Sequence, residues 1–393
     1  MIRVTRHVLG VVVLCGGFLL WNASAHGQTS APAAENGKGA VIGTGTFTAF
    51  VENMDRSLAF FHDVFGMEVP PLPESGARPY NRANPQLFAM FDIPGARERH
   101  QSARAAGTRL SVELMEIQDV AHNTLPLRIQ DPGTATLVLI VRDIDDMLAR
   151  LTQADVITPG RKPVAFADGT RALLISDVDK RFIEIRQQAT IPAPASANGI
   201  VDLRLSIAVN DMGRTTRFYR DVLGFTVEGE TAFTADAGLR ALTGLSKAEV
   251  KRSRAQAPGS PLWIEFVEYR GVDRSPMRAR IQDRGAARLQ LRVQNIDAVV
   301  SAMKGAGMTV VTQGGGPVPI PPNFKGALVA DPNNFFLTPF EPASAPGQPS
   351  GARAGQARVA LSEESAREYA IAASLTPSSR RRRSRAASCS GPA

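Results

Sequence analysis

The sequence is poor in the residues that build disulfides, metal sites and serine nucleophiles. Cys15 and Cys389 are its two cysteines; Cys15 lies in an N-terminal apolar run, so removal of that run would exclude an intrachain disulfide. The five histidines form no H-x-H or H-x-x-x-H pair and there is no C-x-x-C, which argues against a local metal motif. No G-x-S-x-G sequence is present to form a nucleophile elbow. Stability must therefore come from burial of the 44% of residues that are hydrophobic.

Long hydrophobic runs are also scarce, and a single one approaches the length of a membrane span. It covers residues 8–21, follows Arg3 and Arg6, and ends before a small-x-small sequence at 23–25. A basic start, an apolar stretch and small residues at the cleavage site are typical of a secretory signal peptide. We therefore predict a signal peptide over residues 1–25, export to the periplasm or the medium, and no membrane insertion of the processed chain.

Positive charge is in excess, but the excess lies at the two ends of the chain. The formal net charge is +8, to which Arg3 and Arg6 contribute two and residues 342–393 contribute five. The body between them is nearly neutral, so the basic surface of a nucleic-acid-binding protein is not expected. Residues 26–39 have the composition of a flexible leader, and residues 342–393 that of a disordered basic tail.

The most informative feature is an internal repeat. AFFHDVFGMEV at 59–69 matches RFYRDVLGFTV at 217–227, and RIQDPGTATL at 128–137 matches RIQDRGAARL at 280–289. Two collinear matches indicate that the chain contains two copies of one domain.

Composition sets the boundaries of the two copies. The Pro/Ala/Ser-rich sequence at 188–198 has the character of an interdomain linker. We therefore predict a first domain over residues 40–187 and a second domain over residues 199–341.

Each copy contains a second, weaker repeat in which a strand leads into a capped helix. Strand-like sequences precede Asn53, Asp143, Asp211 and Asn295, and each of these residues begins a segment with apolar positions at helical spacing. Further strand-like runs follow each helix. The pattern predicts an α+β architecture of four units, with strands curled around a pocket and helices outside.

Two segments resemble the signature of a known family. VNDMGRTTRFYRDVLGFTV at 209–227 resembles the capped helix of the vicinal oxygen chelate superfamily, and VENMDRSLAFFHDVFGMEV at 51–69 repeats it. That superfamily includes glyoxalase I, extradiol dioxygenases and bleomycin-binding proteins. The resemblance implies tandem domains in which four βαβββ units form two open barrels with helices outside. It also implies a divalent metal held in a barrel by histidines on the first strands and glutamates on the last strands.

The resemblance points to the residues that would line each barrel. Counting back from the helix caps gives the first-strand positions, and the closing strands give the carboxylate positions. The first-strand residues are Thr46, Thr136, Arg204 and Arg288, and the last-strand residues are Glu113, Glu184, Glu265 and Thr338. Threonine is a poor neutral ligand and a guanidinium repels a cation. We therefore predict no cofactor with conventional ligands, and a divalent metal only if glutamates hold it.

In the first domain, Glu113 and Glu184 would face one cavity floored by Thr46 and Thr136. One interpretation is a carboxylate pair that shares a proton and transfers it in a lyase, isomerase or dioxygenase, with or without a metal. The other is that both carboxylates are solvated or paired with arginine and have no role in catalysis.

In the second domain, Arg204 and Arg288 would share a cavity with Glu265 and Thr338. Two guanidiniums could clamp an anionic ligand, or Glu265 could neutralise them internally. The sequence thus favours a small-molecule-binding protein and keeps a divergent enzyme as the alternative. It leaves open the oligomeric state and whether units pair within or between the two domains.

The remaining histidines are not placed for chemistry by the sequence. His62 is expected on an outer helical surface, and His100 and His122 in loops. The predicted partner is a small molecule, with no nucleic acid partner.

Overall fold

A computed structural model describes residues 41–73, 76, 78–80, 84–105, 111–190, 199–321 and 323–342. The predicted signal peptide and leader, and residues 343–393 of the predicted tail, lie outside the described residues. So do residues 191–198 of the predicted linker. Within the described part of the chain, no helix is both long and apolar enough to cross a membrane.

Four units follow one another, and each opens with a strand that runs into a helix. The helix caps are those predicted: the side chains of Asn53, Asp143, Asp211 and Asn295 each accept a hydrogen bond from a backbone amide in the first turn. Short polar side chains satisfy amides that a helix start leaves unpaired. The first helix ends at Gly66, whose φ of 63° is the left-handed conformation that favours glycine.

The first two units contain five elements each. The first unit consists of β1 (Val41–Phe50), α1 (Met54–Phe65), α2 (Pro85–Met90), β2 (Arg97–Arg104) and β3 (Ser111–Gln118). The second unit consists of β4 (Ala135–Val141), α3 (Ile144–Gln153), β5 (Val164–Ala165), β6 (Arg171–Ser176) and β7 (Phe182–Gln187).

The last two units follow the same plan with more short strands. The third unit consists of β8 (Ile200–Val209), α4 (Met212–Arg217) with a π-helical turn (Phe218–Val222), β9 (Thr226–Glu228), α5 (Ala237–Thr243), β10 (Glu249–Gln256) and β11 (Trp263–Arg270). The fourth unit consists of β12 (Ala287–Val293), α6 (Ile296–Gly305), β13 (Thr309–Val310), β14 (Val318–Ile320), β15 (Phe324–Gly326), β16 (Val329–Ala330) and β17 (Phe336–Pro342).

The strands form two sheets, and each sheet takes one unit from each sequence repeat. Sheet I has the order β13-β16-β17-β12-β1-β3-β2, with β15 also paired to β17 and β14 paired to β15, so it joins the first and fourth units. Sheet II has the order β5-β6-β7-β4-β8-β11-β10-β9 and joins the second and third units. The antiparallel pairs β1/β12 and β4/β8 make the two joins. The α+β architecture is confirmed, and the question of unit pairing is resolved in favour of pairing between the repeats.

The main apolar core links the two sheets through the helices. Its residues come from both sheets and from helices α1, α3, α4 and α6. Tyr219 and Phe266 pack within it with ring centroids 4.7 Å apart. A second cluster, which includes Phe50, Met115 and Phe336, belongs to sheet I and α2. Helices α1, α3, α4 and α6 therefore pack on one face of each sheet, and the other face of each sheet forms a separate interior.

Candidate functional site

Inside sheet I, one guanidinium is surrounded by three side chains from other strands. Arg288 on β12 donates to Glu113 Oε2 at 3.2 Å, to Thr48 Oγ1 at 3.2 Å and to Thr338 Oγ1 at 3.4 Å. Thr48 donates to the same carboxylate oxygen at 2.5 Å. Strand register brings the group together, since Thr48 is the partner of Arg288 across β1/β12 and of Glu113 across β1/β3. The cluster satisfies its own hydrogen bonds.

Glu113 and Arg288 hold each other ionised although both are buried. Burial raises the pKa of Glu113, but Arg288, His100 and the hydrogen bond from Thr48 outweigh it, so the pKa is lowered. Burial lowers the pKa of Arg288, and Glu113 opposes this only in part. A guanidinium nevertheless stays protonated at any physiological pH. Removal of either partner would leave an unpaired buried charge.

An aromatic side chain covers this cluster. Phe91 directly follows α2, and its ring centroid lies 4.9 Å from the Arg288 guanidinium carbon. The ring also packs edge-on against Phe50, with centroids 6.0 Å apart. Met90 and Met115 belong to the same buried cluster. A ring over a guanidinium is a favourable cation–π contact, so the protein itself fills the space above Arg288.

His100 lies near this cluster, on strand β2 and not in the predicted loop. Its Nδ1 lies 2.8 Å from Oε2 of the buried Glu98. The hydrogen bond with Glu98 raises the pKa of His100 against the effect of burial, and Glu113 adds to the rise. The strand was missed because β2 is at the edge of sheet I, where both faces carry polar residues. His122 lies in a loop and His62 on the exposed face of α1, as expected.

Sheet II repeats the arrangement with a guanidinium from a different strand. Arg186 on β7 donates from Nε to Glu184 Oε1 at 2.7 Å. Its two terminal nitrogens donate to the two oxygens of Glu265 on β11, at 2.6 and 3.0 Å. Burial raises the pKa of Glu265, but Arg186 and then Arg204 outweigh it and lower the pKa. The fork-shaped contact to Glu265 is a strong, oriented form of carboxylate binding.

A cavity of about 370 Å³ opens beside this second cluster. Arg186, Arg204 and both carboxylates of the cluster line it. Arg204 donates from Nε to Asp202 at 2.9 Å and from one terminal nitrogen to Gln188 at 3.5 Å. These contacts use two of the five N–H groups of a guanidinium. The volume is in the range of about 300–1,000 Å³ typical of small-molecule sites.

Six residues with hydroxyl groups line the cavity, and three of these hydroxyls are free to meet a ligand. These three belong to Thr136, Ser206 and Tyr269, and within the described chain none of them has a hydrogen-bond partner. Burial, followed by the charge of Glu184, raises the pKa of Tyr269, so this hydroxyl stays protonated and can donate. Hydroxyl groups donate and accept, which suits polar groups on a ligand.

Helix α5 and one loop residue cover the cavity opposite its strand residues. Leu239 and Leu242 of α5 line it together with Phe166, which follows β5. A β-carbon at Gly238 would lie 2.6 Å from the Phe166 ring, so α5 sits directly on that ring. Helix and loop come from the third and second units, so the cavity depends on the pairing in sheet II.

The predicted carboxylate pair is wrong, because its two members lie in different sheets. Glu113 is on β3 in sheet I, and Glu184 is on β7 in sheet II. The prediction assumed that the first two units close one cavity, whereas the first unit pairs with the fourth. The same exchange separates Arg288 from Arg204 and Glu265. Each sheet instead combines carboxylate and arginine side chains.

The first-strand positions were also only partly identified. Thr48, and not Thr46, joins Arg288, because counting from a helix cap does not fix the register between strands. Pairing of β1 slips between Thr44 and Phe47, and Thr46 lines a different cavity of about 240 Å³. The Thr46 hydroxyl is buried there without a hydrogen-bond partner in the described chain. Thr136 and Arg204 do line the sheet II cavity, and Thr338 does contact Arg288.

Sequence analysis missed three residues that shape the sheet II site. Arg186 and Ser206 lie two residues after Glu184 and Arg204, so strand periodicity alone would have placed them on the same inner faces. Phe166 gave no signal, because it lies in a loop that meets α5 only in the folded chain.

The chain matches the profile of a known protein family. The profile of the Glyoxalase/Bleomycin resistance protein/Dioxygenase superfamily matches residues 43–184 and 203–332. The chain belongs to this superfamily. The family resemblance and the tandem fold are thereby confirmed.

Several solved structures of superfamily type are similar to this chain. Glyoxalase I from Zea mays is 17% identical, with a TM-score of 0.49, and the match covers 77% of this chain and 92% of that one. A putative dioxygenase from Bacillus subtilis is 14% identical, with a TM-score of 0.48, and the match covers 86% and 97%. At these values the likenesses carry no conclusion about reaction or ligand. No curated protein matches the chain.

Many superfamily members hold a divalent metal ion inside the barrel. The question is whether the side chains present here could bind one. Among the described residues, no group of three or more His, Cys, Asp or Glu is placed to hold a metal ion. In each sheet the carboxylates that could contribute are already bound by a guanidinium. The donor set therefore does not fit a conventional metal centre.

Proposed function

We propose that this chain is an exported superfamily member that binds a small anionic molecule in the sheet II cavity, without a metal ion. The observation that carries the proposal is the position of Arg186 between Glu184 and Glu265. A permanent cation there is hydrogen-bonded to both carboxylates and would repel a divalent ion. The cavity beside it remains available to a ligand.

Repeat symmetry supports the comparison of the two sheets. The repeat offsets relate Thr48 and Glu113 in sheet I to Ser206 and Glu265 in sheet II. In sheet I the central guanidinium is that of Arg288, on the first strand of the fourth unit. In sheet II it is that of Arg186, on the last strand of the second unit. In both sheets an arginine binds the inward-facing glutamate, although the arginine comes from a different strand. This supports the proposal that arginine takes the place of a metal ion.

The cavity lining contains four arginines and three carboxylates, so it carries one net positive charge. Arg252 lines the wall with Arg186 and Arg204, and its Nη1 lies 3.0 Å from Asp236. Arg204 retains N–H groups that no described residue accepts. Guanidinium groups recognise carboxylates and phosphates through paired hydrogen bonds. A ligand carboxylate could therefore bind at Arg204 without displacing the internal contacts of Arg186.

The alternative of proton transfer by Glu113 and Glu184 receives no support from this geometry. The two carboxylates are in separate sheets, and each is bound by its own arginine. Export remains part of the proposal on the basis of residues 1–25. N-terminal sequencing of the secreted or periplasmic protein should begin near residue 26, and an uncleaved cytoplasmic protein would contradict it.

The function can be tested with the full chain, acetate as the anion and no added metal. We expect acetate to raise the melting temperature, Arg204→Gln to abolish the rise, and Arg220→Gln on an exposed helical surface to leave it unchanged. Metal analysis should find less than stoichiometric Mn, Fe, Ni and Zn, with no effect of EDTA on stability. A stoichiometric metal, or an acetate effect that survives Arg204→Gln, would contradict the proposal.

A further inference from the structure

The sheet II cavity has a charged end and an apolar end. Along β8, Arg204, Ser206 and Ala208 face the cavity in order, which spans about 13 Å at about 3.3 Å per residue. On the parallel neighbour β11, Glu265 is level with Ser206, and Val267 is level with Ala208. Charge therefore gives way to apolar surface in the same direction on these two strands, while Arg252 on β10, level with Val267, is ion-paired with Asp236.

The apolar end is closed by side chains that pack on one another. Phe166 packs against the cluster that contains Leu239 and Val267, and also against the cluster that contains Leu242. All four side chains line the cavity. Burial of a flat apolar group against them would be favourable, because it removes apolar surface from water.

Sheet I shows what fills the corresponding space there. Helices α2 and α5 both lie between the first helix and the later strands of their units. The residue directly after α2 is Phe91, whose ring covers the central arginine Arg288. The residue directly after α5 is Gly244, which has no side chain. Sheet I thus supplies its own aromatic ring over the central guanidinium, whereas sheet II leaves a cavity.

We infer that the sheet II cavity binds a small aromatic carboxylate, an inference that rests on the proposed function. The carboxylate binds at Arg204, and the ring lies towards Phe166 and α5, near the Arg186 guanidinium. The ring would take the place that Phe91 holds in sheet I and gain a cation–π contact of the same kind.

Calorimetric titration of the full chain with phenylacetate, acetate and benzyl alcohol tests this class. We expect phenylacetate to bind at least tenfold more tightly than either of the other probes, because it alone uses both ends of the cavity. Equal affinity for acetate and phenylacetate would overturn the aromatic class and leave the anion-binding function intact. Equal affinity for benzyl alcohol would overturn the need for a carboxylate. Binding of none of the three would overturn the inference and the proposed function together.

Variants at the apolar end provide the second readout. Phe166→Ala should weaken phenylacetate at least tenfold and leave acetate unchanged, whereas Phe166→Leu should lose less. Leu72→Ala, at an exposed apolar side chain elsewhere, is the matched control. Near-ultraviolet circular dichroism establishes that each variant is folded before titration. Unchanged phenylacetate affinity in folded Phe166→Ala would overturn the placement of the ring.

Discussion

Replacement of Arg186 by methionine should destabilise the protein strongly at neutral pH. Methionine keeps most of the aliphatic length of arginine and removes three charge-assisted hydrogen bonds. Glu184 and Glu265 would then face one cavity without their hydrogen-bonded counter-ion, with side-chain exposures of 12% and 22%. Loss of one partner from a buried ion pair costs about 3–5 kcal/mol. Because these carboxylates keep some contact with solvent, we expect a loss near the lower limit, about 3 kcal/mol.

The loss should depend on pH in a defined direction. In the native protein the pKa of Glu265 is lowered, chiefly by Arg186 acting against burial. A carboxyl group with a lowered native pKa stabilises the fold above its unfolded pKa, about 4.3, and this contribution disappears as pH falls through the native pKa. The difference between wild type and Arg186→Met should therefore be largest near pH 7.5 and shrink towards pH 4. Urea unfolding followed by circular dichroism at both pH values measures it.

Three comparisons make this test decisive. Arg186→Lys keeps the charge but not the fork, and should lose an intermediate amount. Arg220→Met, at an exposed ion pair, should leave stability essentially unchanged. Millimolar Ca²⁺ should restore part of the lost stability in Arg186→Met and have no effect on the wild type. A pH-independent difference, or one below about 0.5 kcal/mol, would refute the role of Arg186 as an internal counter-ion.

Three further outcomes follow from buried groups elsewhere in the structure. Burial raises the pKa of Asp331 to about 6, so its contribution to stability is present below pH 3.8 and lost as pH rises through 6. Asp331→Asn should therefore gain about 2.4 kcal/mol relative to wild type between pH 4 and pH 7.5 in urea unfolding. A constant difference would contradict this. The pKa of His100, measured by NMR, should lie above its usual value and fall in Glu98→Gln, and an unchanged value would contradict the hydrogen bond. Phe91→Ala should lower the free energy of unfolding by about 3–5 kcal/mol and leave a space above Arg288. Benzene should fill that space and raise the melting temperature of the variant. No stabilisation by benzene would contradict the covering role of the ring.

Local signals in the sequence predicted the elements well. Asn53 and Asp143 cap helices where the side-chain chemistry required, and the repeat predicted four units of α+β type. The family signature is also local, since most of its residues belong to one helix and its ends. These features depend on residues close in sequence, which is why the sequence alone was enough.

Features that depend on strand register and unit pairing were not predictable in the same way. Thr46 and Thr48 differ by two positions, so either could face inward, and only the pairing of β1 with β12 selects Thr48. Glu113 and Glu184 each lie on the last strand of their unit. They face separate interiors because the first unit pairs with the fourth and the second unit pairs with the third. Arg186 could have been found by strand periodicity, whereas its contact with Glu265 required knowledge that the second and third units share a sheet.

The nested order of the units has a consequence for biosynthesis. Sheet II unites two consecutive units, so it can assemble while the fourth unit is still being translated. Strand β1 can pair with β12 only after the fourth unit has been translated, because Thr48 and its partner Arg288 are 240 residues apart. Formation of such long-range contacts is slow. Until β12 emerges, β1 presents an unpaired edge of the kind that promotes aggregation. A chain truncated before residue 287 should therefore depend on chaperones in a way that the complete chain does not.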